Sequence, residues 1–169
     1  MAVLSGKDIR RLLKAKPPLI EGWLDLDDQV QANGFDITLR DVAQMRSKGQ
    51  IAVDNRDRVV SWLSPLSFDA AGYLDLALGI YMITYNEIVH LPKNIMALGR
   101  PRSSLLRCGV GVGTAVWDAG YEGRSQSLLI VHNPQGFRVQ KNARITQLVF
   151  MTLTGDSEGY KGVYQGENI

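Results

Sequence analysis

The chain has 169 residues, 45% of them hydrophobic and 21% charged, and its 19 basic against 17 acidic side chains leave a net charge of only +2. That balance excludes a basic footprint for nucleic acid or for an anionic membrane, so a charged ligand has to be met by a local cluster. The length suits one domain, residues 1–169, the single Cys108 excludes a disulfide within the chain, and the lack of a secretory or membrane-spanning apolar run points to a cytoplasmic protein.

In chain order, Ser5 opens the first predicted element. Its hydroxyl can cap a helix with Asp8 as reciprocal partner, and Ile9, Leu12 and Leu13 form an apolar stripe until Pro17 and Pro18 stop it. This predicts one short helix of about three turns. GFDITLRDV (34–42) reads as a strand, and IAV (51–53) and RVVSWL (58–63) as two more. Leu74, Leu76, Leu78, Ile80 and Met82 alternate strictly, which predicts one long strand with that set buried. PRSSLLRCG (101–109) reads as a helix with Pro101 at its first position, and Gly109 to Trp117 as a hairpin whose glycines hold tight or ligand-facing backbone. SLLIVHN (127–133), FRV (137–139) and ITQLVFMTL (145–153) continue the strands. Many strands without intervening helices imply an all-β sandwich or closed barrel of jelly-roll type. Residues 154–169 are polar and glycine-rich, and are expected to form a mobile tail or lid.

Familiar catalytic signatures fail on inspection. GDSEG (155–159) matches the spacing of a nucleophile elbow, but no histidine follows Ser157 and no strand-turn-helix context surrounds it. GVGVG (109–113) has glycines spaced loosely like a dinucleotide loop, yet no helix pattern follows. Zinc chemistry on a nucleobase needs clustered ligands, and His90, His132 and Cys108 are far apart in sequence.

What remains is a set of polar clusters at strand ends. Arg102, Ser103, Ser104 and Arg107 bring hydroxyls and guanidinium groups together at a predicted helix start, which suits a phosphate group. An ordinary capped helix with exposed basic residues fits the same segment equally well. Asp36 stands between apolar strand residues, where a carboxylate is costly unless it meets water, a cation or a donor. Gln147 is an amide inside a strongly apolar strand, with Arg144 just ahead of it. WDAGYEG (117–123) sets Asp118 between a tryptophan and a small-residue turn, where the residues alone favour a turn-capping aspartate.

Together these stretches resemble the trimeric dUTPase and dCTP deaminase superfamily, most closely its archaeal-type dUTPase branch. The resemblance runs nearly end to end, through LSGKDI, QANGFDITLR, GRPRSSLLRCG, TAVWDAGYEGRSQSLLIVHNP, ARITQLVF and YQGEN. It implies a distorted jelly roll with a short N-terminal helix, a homotrimer with active sites at subunit interfaces, and hydrolysis of dUTP to dUMP and pyrophosphate with magnesium. By similarity, Asp118 is the catalytic aspartate that activates a water for attack on the alpha phosphorus. Uracil would pair with backbone of the preceding segment, at Thr114, Ala115 and Val116, and Tyr121 would lie against the deoxyribose. Arg102, Ser103, Ser104, Arg107, Arg144 and Gln147 match substrate-contacting positions, mostly at the phosphates. Asp36 matches the acid that holds magnesium through water. Tyr160, Lys161 and Gln165 are the expected contacts of a closing tail. The deaminase branch carries a glutamate where this chain has Ile130, and Gln126 cannot exchange the proton that deamination needs. Deaminase, bifunctional and purely regulatory nucleotide-binding proteins are the alternatives, and retention of Asp118 argues against the last.

Overall fold

A computed structural model describes residues 2–169. Ser5 caps the first helix, α1 (Gly6–Leu12), through the expected reciprocal pair with Asp8, and buries Ile9. The helix is seven residues long, nearer two turns than three, because Leu13 already closes it ahead of the prolines. The strands follow in order: β1 (Ile20–Glu21), β2 (Val30–Gln31), β3 (Gly34–Met45), β4 (Leu63–Leu66), β5 (Tyr73–Leu76), β6 (Gly79–Tyr85) and β7 (Ile88–His90). Then come β8 (Ile95–Pro101), β9 (Val110–Gly113), β10 (Val116–Trp117), β11 (Glu122–Gly123), β12 (Gln126–Val131), β13 (Phe137–Gln140) and β14 (Arg144–Thr152). A helical turn, α2 (Leu26–Gln29), precedes β2, and a five-residue helix, α3 (Ser103–Arg107), follows β8.

The main sheet runs in the order β10-β8-β14-β3-β6-β12-β9, with β2 and β4 also on β3. Its two outermost strands, β9 and β10, are neighbours in sequence with only Thr114 and Ala115 between them. A flat sheet cannot bring its opposite edges that close, so this one curls into a half-barrel. β1, β7 and β11 form a small second sheet, and β5 pairs with β13. Phe35, Ile37, Leu39, Ile83, Tyr85, Leu129, Leu148 and Phe150 fill the hollow. No helix among the described residues is long and apolar enough to cross a membrane.

Five further sequence expectations need correction. IAV forms no strand, and Ile51 and Val53 lie on an exposed loop. Of RVVSWL, only Leu63 enters a strand, while Val59 makes a single bridge to Gln50. The long strand breaks between Leu76 and Gly79, and beyond the break its buried set is Tyr81, Ile83 and Tyr85 rather than Leu78 and Ile80, which are exposed. Both faces of β6 are apolar, so the alternation of aliphatic residues picked the outer one. Gly109 to Trp117 is not a hairpin: β9 pairs with β12 and β10 with β8, across the seam of the curl. At α3 the helix starts two positions later than expected, at Ser103, with Arg102 in the capping position and Pro101 closing β8.

Candidate active site

Asp118 follows directly on β10, whose Trp117 faces Ala97 of β8. The chain then reverses in a turn closed by the Tyr121 amide on the Asp118 carbonyl (3.0 Å), with Gly120 in the left-handed region (φ +84°). Trp117, Ala119 and Tyr121 point inward and are buried, which sends the Asp118 side chain outward. Trp117 is fixed twice: its indole N–H donates to Ser125 Oγ (2.9 Å), and its ring lies so close to Gly99 that a Cβ there would come within 2.8 Å. No described residue pairs with the Asp118 carboxylate. Beside it opens a cavity of about 320 Å³, walled by residues 115–118, Tyr121 and Gln126. That volume accommodates a nucleoside-sized molecule.

The tail supplies the remaining wall, through Tyr160, Tyr164 and Glu167. It is held by backbone bonds from Ser157 to Lys93, Tyr160 to Ala119 and Gly166 to Glu122, each 2.8 Å. The Gln165 amide spans the turn, accepting from the Glu122 amide and donating to the Gly120 carbonyl, both at 3.1 Å. Tyr160 packs edge-on against Tyr121, with ring centroids 5.7 Å apart. The Tyr121 hydroxyl donates to Glu167 Oε1 (2.8 Å). Burial raises the proton affinity of both groups, and the hydroxyl partly offsets this at Glu167. Lys161 instead points to solvent, paired with Glu158 at 2.7 Å.

A second polar cluster lies at the far end of β8. Asp36 on β3 is in register with Gln147 on β14, which faces Arg100 of β8. The Asp36 carboxylate is only 2% exposed, with Arg102 Nε at 2.8 Å and Arg144 Nη1 at 3.8 Å. Burial raises its pKa, and the two guanidinium groups work against that rise. Arg144 also approaches Asp28 Oδ2 (3.9 Å) and donates to the Asp28 carbonyl. Ser103 and Ser104 are exposed beside Arg102, and Arg107 folds back along α3 onto the Ser103 carbonyl (3.1 Å). Gln147 packs against Gly34, where a Cβ would come within 2.9 Å of its amide nitrogen.

The two clusters are separate on one chain. Asp118 sits beside Met96 near the start of β8, and Arg102 stands six positions on, just past the strand's end, a span of about 20 Å at the usual strand rise. No residue of the arginine cluster lines the Asp118 cavity. Sequence reading found Thr114, Ala115, Val116, Tyr121 and Tyr160 near that cavity but passed over Ser125, Gln126, Tyr164 and Glu167. The tail forms no helix or long strand, so no periodicity of Tyr160, Tyr164 and Glu167 could have marked them.

Asp36 does not fit as a metal holder. Magnesium takes an octahedral set of oxygens and retains several waters, whereas this carboxylate is enclosed and faced by two cations. No group of three or more metal-ligating side chains occurs among the described residues.

Comparison with known proteins places these features in context. A family model described as dCTP deaminase-like matches residues 3–153. Probable deoxyuridine 5'-triphosphate nucleotidohydrolases from Methanosarcina mazei and Archaeoglobus fulgidus are each 50% identical over 169 residues, covering 99% and 100% of this chain and 99% of each relative. The deoxyuridine 5'-triphosphate nucleotidohydrolase of Methanocaldococcus jannaschii is 31% identical over 141 residues, covering 83% of this chain and 89% of the relative. Among solved structures, the 2'-deoxycytidine 5'-triphosphate deaminase of Agrobacterium tumefaciens superposes with a TM-score of 0.66 at 25% identity. The superposition covers 90% of this chain and 49% of the deaminase, so this chain spans about half its length.

Proposed function

The chain belongs to the dCTP deaminase-like family, and we propose that within it the protein is a dUTP diphosphatase, hydrolysing dUTP to dUMP and pyrophosphate. The observation that carries this reading is Asp118: an exposed carboxylate without an ion pair, at the mouth of a nucleoside-sized cavity. Such a group accepts a proton from a water, and the hydroxide so formed attacks the alpha phosphorus. Residues 114–116 offer backbone donors and acceptors to the uracil edge, and the Tyr121 ring closes the space beside the sugar.

The phosphates belong at Arg102, Ser103, Ser104, Arg144 and Gln147. One extended nucleotide cannot present its alpha phosphorus to Asp118 and its outer phosphates to Arg102 across about 20 Å of the same chain. The reading therefore requires a second copy to complete each site, as in a homotrimer. The outer face of β6 and β12 supports such an assembly. Ile80 pairs with Ile130 there and Met82 with Leu128, leaving an apolar patch with Ile80 half-exposed. A requirement for magnesium enters through oxygens of the triphosphate rather than through Asp36.

The deaminase reading is disfavoured by Ile130, which faces outward on β12 and carries no exchangeable proton. Incubation with dUTP or dCTP and magnesium, with the products resolved, tests the assignment. Pyrophosphate and dUMP from dUTP alone support it, and dUTP formed from dCTP refutes it. Asp118→Asn should bind dUTP while turning over about a hundredfold more slowly or worse, and a full-rate variant rejects the mechanism.

A further inference from the structure

We propose that Asp36 is a positioning residue for the phosphate-binding guanidinium groups of Arg102 and Arg144, and not a holder of metal. The inference rests on the reading of the Arg102–Ser104 segment as the phosphate pole. Asp36 takes Arg102 by its Nε at 2.8 Å. Among the described residues Arg102 has no other side-chain partner, which leaves both terminal nitrogens of its fork open, and the side chain is 29% exposed toward solvent. A guanidinium anchored at Nε and open at its two Nη atoms presents the flat, paired donors that phosphate oxygens accept.

The anchor is fixed from several sides. The Arg102 amide donates to the Ile145 carbonyl (3.1 Å), tying the start of α3 to β14, the strand that bears Arg144 and Gln147. Arg144 is gripped between Asp36 and Asp28. β3, β14 and the start of α3 thus set one carboxylate between two cations that would otherwise repel each other and wander through their rotamers. An enclosed acid of this kind preorganises donors before the ligand arrives. A hydrated cation has neither room beside it nor electrostatic reason to enter, whereas a polyphosphate meets two aimed positive charges.

Calorimetric titration with inorganic tripolyphosphate in a chelator separates the two roles, because no metal is present. Asp36→Asn should weaken this binding about tenfold or more, the worth of a charge-assisted contact. In dUTP hydrolysis the same variant should raise KM by a similar factor, with kcat within about threefold and the half-saturating magnesium concentration at saturating dUTP unchanged. Arg102→Ala should lose as much tripolyphosphate affinity, and adding Asp36→Asn to it should cost clearly less than the same change does in the wild-type background, because only Arg144 is left to be positioned. Arg102→Lys, which keeps the charge and lacks the Nε anchor, should behave like Arg102→Ala; it stands in for Asp36→Asn if that variant misfolds. Unchanged metal-free binding with a magnesium requirement raised about tenfold would overturn the inference in favour of metal holding. So would additive losses in the double variant, or a lysine that restores binding. Wild-type protein that binds tripolyphosphate with this Asp36 dependence but leaves dUTP intact rejects the proposed reaction alone.

Discussion

Gly120→Ala tests how the tail is held over the candidate site. Gly120 lies in the left-handed region, which costs a residue with a β-carbon about 1 to 2 kcal/mol and lowers global stability by that amount. The tail feels a separate effect. A Cβ at position 120 would stand 2.6 Å from Gly159 Cα and 2.9 Å from the Tyr160 amide nitrogen. Both are backbone atoms, so no rotamer change relieves the clash, and the tail has to withdraw by about 1 Å to regain ordinary contact. Overpacking of this kind costs about 1 to 3 kcal/mol. Withdrawal also breaks the Tyr160 to Ala119 hydrogen bond, worth about 1 kcal/mol more. The sum is at least about 2 kcal/mol, which shifts the docking equilibrium about thirtyfold toward release. Trypsin cleavage after Lys161, whose side chain is 73% exposed, reads that equilibrium, since cleavage needs an extended, undocked segment. The variant should be cut far faster than wild type and show a raised KM for dUTP. Gly155→Ala is the control, because a Cβ there meets nothing within 4 Å. Cleavage of Gly120→Ala within twofold of wild type, at unchanged KM, refutes the docked tail as part of the site.

Glu167 should make tail docking dependent on pH. Its pKa in the docked state is raised by burial, so docking favours the protonated form; that contribution is complete below the ordinary carboxylate pKa and is lost as pH rises through the docked value. Hydrogen-exchange protection of tail amides, corrected for intrinsic rates, should therefore fall with rising pH, and Glu167→Gln should flatten the dependence. Phe150→Ala empties a fully buried position on β14 and should cost about 3 to 5 kcal/mol in denaturant unfolding; a loss under 1 kcal/mol would mean the half-barrel is not packed as described. Ile80→Glu places a charge in the apolar outer patch and should lower the oligomeric state seen by sedimentation, while an unchanged assembly moves the subunit interface elsewhere.

How legible the site was in the sequence depended on whether its chemistry is local. The α1 cap was readable because Ser5 and Asp8 satisfy each other within one turn. The turn at Asp118 was readable as a turn, and its carboxylate became a candidate base only through resemblance. The corrections fell where a residue's surroundings are set by distant strands. Leu78 and Ile80 were assigned to the core because a period of two fixes which residues share a face, not which face turns inward. On β6 Tyr81, Ile83 and Tyr85 took the interior, and Ile80 and Met82 were left on the outer face. Asp36 follows the same logic. Between apolar neighbours it had to meet water, a cation or a donor, and the strand pattern could not choose among them. The choice was made by residues 66 and 108 positions away, Arg102 and Arg144, which β14 and the end of β8 deliver to the same spot. A buried acid that holds two arginines and a surface acid that is paired with nothing look alike in sequence, yet their opposite surroundings suit them to the two different roles proposed for them, ordering guanidinium groups and accepting a proton.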